Sequence, residues 1–140
     1  MATIIERTKF ENLRVYQLAE KLADEIWLAV ANWDHFARDT VGKQIVRAAD
    51  SIGANIAEGV GRGTAPDNRR FVRTARGSLN ETKHWLRRAY KRHLLSDQAV
   101  NKLRPLIDEL APKLNAYLRS IHERSQQGTT TDKSQPTTND

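Results

Sequence analysis

Asp39-Thr-Val-Gly-Lys-Gln-Ile-Val-Arg-Ala-Ala-Asp-Ser-Ile-Gly-Ala-Asn-Ile-Ala-Glu-Gly-Val60 carries Val41, Ile45, Ala49, Ile52, Ile56 and Val60 at steps of three and four residues. That spacing sets all six on one face of a helix, and nothing in the stretch alternates as a strand would. The segment is also rich in Ala and Gly, which lets a neighbouring helix come close. It therefore predicts one member of a packed set of helices.

The flanking sequence supplies the others. From about Asn12 to Trp33, Leu18, Leu22, Ile26, Val30 and Trp33 form one stripe, with Val15, Ala19 and Ala23 beside it. A third segment, about Ala65 to Leu95, opens with Thr64 as a cap, Pro66 in the first turn and Asp67 at the positive helix end. Its inner face is expected to be Phe71, Val72, Ala75, Leu79, Trp85, Leu86, Ala89 and Tyr90. A fourth, from Ser96-Asp97 to about Arg124, aligns Leu103, Leu106, Ile107, Leu110, Leu114, Tyr117 and Ile121. Pro105 and Pro112 each remove a hydrogen bond there and invite a kink, and the segment is read as one helix. Short connections favour antiparallel neighbours. The expectation is an all-α, antiparallel up-down four-helix bundle over residues 12–124, with an N-terminal arm, 1–11, before it. Residues 125–140 contain no apolar side chain and are read as a disordered C-terminal tail.

A length of 140 residues suits one domain. The absence of cysteine excludes a disulfide framework, a thiolate zinc site and a cysteine nucleophile. The longest purely apolar run, Ile26 to Ala31, falls far short of the roughly 20 residues of a membrane span. No signal-peptide core precedes it, so the expected location is the cytoplasm.

Charge is concentrated in the third segment. Between Arg62 and His93 stand ten lysines and arginines against two acids, Asp67 and Glu81. That segment carries +8 of a chain whose net charge is +6, which leaves −2 for everything else. Projected at about 100° per residue, Arg69, Arg73, Arg76, Lys83, Arg87 and Lys91 fall in one line about 33 Å long. Arg70, Arg88 and Arg92 flank it. Such a row repels itself, and a phosphate-bearing partner, RNA or DNA, gives it a purpose. A solvated face, or ion pairs with acids of another protein, is the plainer reading. No aromatic interleaves the line, so contact with backbone phosphate is expected rather than base stacking.

Other motifs point to structure. Gly59-Val-Gly-Arg-Gly63 looks like a phosphate loop but follows no strand, and reads as a turn between helices. His35, His84, His93 and His122 have no metal-ligand spacing, and no metal or other cofactor is expected. Arg88-Ala-Tyr-Lys-Arg-His93 has the Arg-x4-His spacing of HEPN-type helical ribonucleases, the one enzymatic alternative. The main expectation is a protein without catalytic residues. Ser51, Asn55 and Glu58 edge the second helix's apolar face, as structural or interface positions.

Three stretches resemble a known family. Phe10-Glu-Asn-Leu-Arg-Val-Tyr-Gln-Leu-Ala19 is similar to its opening, Gln44 to Gly59 is the strongest match, and Phe71 to Glu81 resembles its third helix, with Val72 where leucine is commoner. The family is that of bacterial four-helix-bundle proteins encoded in intervening sequences of 23S ribosomal RNA genes. The resemblance implies an antiparallel bundle, a homopentamer in several members, and no known enzymatic activity. A related branch comprises accessory proteins of diversity-generating retroelements, which bind a reverse transcriptase and nucleic acid. The basic third helix is similar to that branch. The family has no catalytic residues to carry over; its motif residues Ser51, Asn55, Glu58, Ser78 and Glu81 look like packing and interface positions. The alternative from another class is an oligomeric scaffold whose basic helix meets an acidic protein.

Overall fold

A computed structural model describes residues 10–133, with side chains to Ile121. Phe10–Asn12 forms a 3-10 turn, followed by helices α1 (Arg14–Ala31), α2 (Lys43–Val60), α3 (Ala65–Lys91) and α4 (Asp97–Lys133). A helical turn, His35–Ala37, and a π-helical stretch, Arg38–Gly42, lead into α2. The expected N-terminal arm lies outside the described residues apart from Phe10 and Glu11. The backbone of α4 continues to Lys133, and the remainder of the expected tail lies outside the described residues.

The helical turn before α2, and helices α3 and α4, begin where a side chain takes an orphan backbone N–H, whereas α1 and α2 themselves start without a side-chain cap. Asp34 Oδ1 accepts from Ala37 N at 3.0 Å, Thr64 Oγ1 from Asp67 N at 3.3 Å, and Ser96 Oγ from Ala99 N at 3.1 Å. The α2–α3 turn ends on Gly63 with φ +86, a backbone angle that costs glycine little. After α3, Leu94 N–H reaches Ala89 O at 2.9 Å and His93 N–H reaches Tyr90 O at 3.0 Å. This is the Schellman arrangement, with His93 at φ 64 in the position glycine usually takes.

The helices pack α1 on α2, α2 on α3, α3 on α4, and α4 back on α1, with no diagonal packing among the described residues. Consecutive helices are joined by short connections and run antiparallel, tied by side-chain bonds across their interfaces. Ser51 Oγ meets Ser78 Oγ at 2.9 Å, and Arg76 Nη1 donates to Asn115 Oδ1 at 3.3 Å. Near the start of α1, Arg14 grips Glu109 of α4 through two bonds of 2.8 and 2.9 Å. That hydrogen-bonded guanidinium holds the Glu109 carboxyl below the ordinary glutamate range.

The core contains the predicted stripes of α1 and α2, from Leu18 to Trp33 and from Val41 to Ile56, with Val60 half-buried. In α4, Leu103, Leu110, Leu114 and Ile121 are buried, joined by Leu118; Leu106, Ile107 and Tyr117 are half-buried. The helix runs through both Pro105 and Pro112, which are exposed. On α3, Val72, Ala75, Leu79 and Ala89 are buried, while Phe71, Trp85 and Leu86 are half-buried. Tyr90 departs from expectation. It is 48% exposed, because it lies at the α4 edge of the apolar arc, over the groove between the two helices. Thr82, outside the expected face, is buried instead and satisfies its hydroxyl on Ser78 O at 2.8 Å.

Candidate nucleic-acid interface

The buried arc of α3 is narrow and made mostly of small residues, so most of the helix circumference is left to solvent. The long cationic side chains occupy that remainder. Arg70, Arg73, Arg76, Lys83, Arg87, Lys91 and Arg92 are exposed, while Arg69 and Arg88 are half-buried. The line from Arg73 to Lys91 spans about 27 Å at 1.5 Å per residue.

The cations differ in how they are held. Arg70 pairs with Asp67 at 3.3 Å, and both it and Arg62 lie over the Phe71 ring, at 4.8 and 4.9 Å from its centroid. Arg76 bridges to Asn115 on α4. Arg69 Nη1 and, on the preceding residue, Asn68 Oδ1 are buried with no hydrogen-bond partner among the described residues. The sequence line therefore starts with a residue partly withdrawn into the helix junction. Among the described residues, Arg73, Lys83, Arg87, Arg88, Lys91 and Arg92 make no ion pair or side-chain hydrogen bond. Glu81, the second acid of the segment, accepts from Trp85 Nε1 at 3.2 Å rather than neutralising a cation.

The basic line runs along the α4 flank of α3 rather than opposite the core. Below its C-terminal half lies a groove of about 690 Å³ between α3 and α4. Lys83, Arg87 and Tyr90 form one wall, and Asp97, Asn101, Arg104 and Asp108 the other. The sequence reading missed this second wall. Asp97, Asn101, Arg104, Asp108 and Asn115 recur at steps of four, three, four and seven along α4. That polar row becomes a wall once α4 is set antiparallel to α3.

The motif residues of α2 and α3 separate into two groups. Asn55 Nδ2 donates to the carbonyl and hydroxyl oxygens of Ser51, at 2.8 and 2.9 Å, and Ser51 meets Ser78. These three form a polar seam joining α2 to α3. Glu58 and Glu81 are exposed, and Glu58 pairs with Arg62 at 3.7 Å. The remaining site candidates are not brought together. Arg88 is on α3, His93 lies past the helix end in the left-handed turn, and neither bonds the other. Among the described residues no group of three His, Asp or Glu is placed to hold a metal ion, and no helix is long and apolar enough to cross a membrane.

Large apolar side chains are also exposed at the far end of α1 and in the following turn. Trp27 is 60% exposed, Leu28 59% and Phe36 77%. Trp27, Val30 and Val46 line a further depression between α1 and α2.

Residues 11–116 match the model of a family described as the 23S rRNA-intervening sequence protein. No curated protein matches the chain.

Proposed function

The chain belongs to the 23S rRNA-intervening sequence protein family, and from that premise we propose that it is a non-catalytic nucleic-acid-binding protein of the cytoplasm. Its α3 face holds the phosphate backbone, RNA before DNA. The observation that carries this reading is the row of exposed cations on α3, of which Arg73, Lys83, Arg87 and Lys91 form no ion pair among the described residues. A helix that served only to pack and dissolve would intersperse glutamates at four-residue steps. Arg73, Arg76, Lys83, Arg87 and Lys91 hold the phosphates, with Arg70, Arg88 and Arg92 flanking. Arg69 acts through the position of the α3 start more than through a free charge.

The exposed Trp27, Leu28 and Phe36 support a second element of the proposal, a homo-oligomer in which another copy covers these side chains. The family resemblance favours a pentamer. Five basic helices would sum their fields and raise the local concentration of phosphate for each. Likeness to the retroelement accessory branch extends the proposal to a reverse transcriptase as protein partner. An acidic protein docked on α3 is the competing use of the same face.

Binding of RNA and DNA by the nuclease-free protein across a salt series tests the reading. Phosphate contact predicts affinity that falls linearly in log–log form, by about 0.7 for each single-strand phosphate neutralised. No binding at low salt would direct attention to the acidic-protein reading.

A further inference from the structure

We infer that the α3–α4 groove seats an unstacked base, making the preferred ligand a single strand rather than a duplex; this rests on the phosphate-binding reading above. The groove lies directly beside the basic line and shares Lys83 and Arg87 with it. Its interior is of another character. Leu86, Leu103 and Ile107 contribute apolar surface, and the Tyr90 ring stands half out of the protein at one end. The ring is steadied by its hydroxyl, which donates to Asp97 Oδ1 at 3.4 Å.

The lining carries both signs. Lys83, Arg87 and Arg104 can hold phosphate at the rims, while Asp97 and Asp108, neither of which forms an ion pair with them among the described residues, offer acceptors that phosphate cannot use. A nucleobase suits it on every side. Its faces are apolar enough for the leucine floor and can stack on the tyrosine. Its amino and ring N–H edges can donate to the carboxylates, as bases do to Asp and Glu elsewhere. The phosphates on either side of that base then meet cations on both rims, Arg87 on α3 and Arg104 on α4. A volume of about 690 Å³ is within the range of small-molecule sites. In a duplex the bases are stacked and paired, so the groove would stay empty and only the rim cations would act.

The test uses the full chain with a short RNA carrying 2-aminopurine, presented as a single strand and as a duplex, and with the same strand as DNA. The single strand should bind more tightly than the duplex and its fluorescence should change on binding. Quenching with both sugars, or with RNA alone, identifies which strand the groove accepts. Tyr90→Ala should weaken single-strand binding about 5- to 140-fold and leave duplex binding unchanged. Tyr90→Phe should retain single-strand affinity, since the ring stays. Unchanged duplex binding in Tyr90→Ala also shows that the variant is folded. Equal affinity for both forms, unaltered by Tyr90→Ala, would overturn the base seat and leave the phosphate reading intact. Equal losses for both forms would overturn it as well, by making Tyr90 structural. Binding of neither form by the parent protein would remove both readings together.

Discussion

Replacing Arg73 and Arg87 together by glutamine should flatten the salt dependence of nucleic-acid binding without harming the fold. Five exposed cations, Arg73, Arg76, Lys83, Arg87 and Lys91, lie along one line of α3. If each neutralises one phosphate of a single strand, the log–log slope is about −3.5, and affinity falls about 130-fold between 50 and 200 mM salt. Removing two contacts leaves a slope of about −2.1 and a fall of about 20-fold over the same interval. At 0.1 M salt the lost counterion release alone weakens binding roughly 25-fold. The folded protein should tolerate the change. Neither side chain has a hydrogen-bond or ion-pair partner among the described residues, so stability should shift by no more than about 0.5 kcal/mol. A small gain is reasonable, because Arg87 stands four residues from both Lys83 and Lys91. Fluorescence anisotropy over a salt series reads the slope, and a thermal melt reads the fold. A folded double variant with unaltered slope and affinity would refute the assignment of this line.

Gly59→Ala should destabilise, because the added methyl meets Asn68 Oδ1, the Asn68 carbonyl at 3.1 Å and Phe71 Cβ at 3.2 Å, and overpacking of about 1–3 kcal/mol exceeds the helix gain of about 1 kcal/mol. Gly77→Ala, whose methyl meets nothing within 4 Å, should instead gain up to about 1 kcal/mol; equal effects in denaturant melts would contradict this. His93→Gly should gain roughly 1 kcal/mol by relieving the left-handed backbone, and should leave nucleic-acid binding unchanged. Asp50 is held above the ordinary aspartate range by partial burial and then by Asp24. Its folded form retains the proton more tightly than the unfolded chain, so this group's contribution to stability falls as pH rises through that range. Asp50→Asn should therefore raise the melting temperature at pH 7, and the gain should shrink as pH falls and vanish about one unit below the ordinary aspartate pKa of about 3.9, where both states are protonated. A gain of the same size at both pH values would place its origin outside ionisation.

The bundle was legible because its core obeys one rule. Leu22, Ile26, Ile45, Ile52, Ile56, Leu110 and Leu114 are almost fully buried, and each was identified by helical spacing alone. Spacing fails where burial depends on the neighbour. Tyr90 and Ala89 are adjacent on α3, yet one is open and the other closed, because Tyr90 overhangs the start of α4. Thr82 is polar by composition and buried by position, its hydroxyl satisfied within its own helix. The same limit governs the candidate site. A single-helix projection finds the cations, since their phase is a property of α3. It cannot find the groove, whose second wall comes from residues 7 to 25 positions further on, facing α3 only after the chain reverses at His93.

These features have a common origin in the size of the residues between α2 and α3. Gly59 on α2 is buried against Asn68 and Phe71 of α3, Ala48 is buried further back along the same helix, and Ala75 and Ala89 on α3 are buried with no exposed surface. Small residues bring backbones close, so packing can concentrate in a narrow strip instead of spreading round the helix. The Ser51–Asn55–Ser78 seam then fixes register at little cost in volume. The consequence for α3 is that its α4 flank is freed from much of the core duty that its length would otherwise impose. That flank can accumulate charges whose mutual repulsion a broader interface could not accommodate, and it leaves an open groove where a fully packed helix pair would be closed. Enlarging the small residues should therefore disturb the basic face as well as the core. Gly59→Ala, which presses on Asn68 beside Arg69, is the substitution in which a loss of stability and a loss of nucleic-acid affinity are expected together.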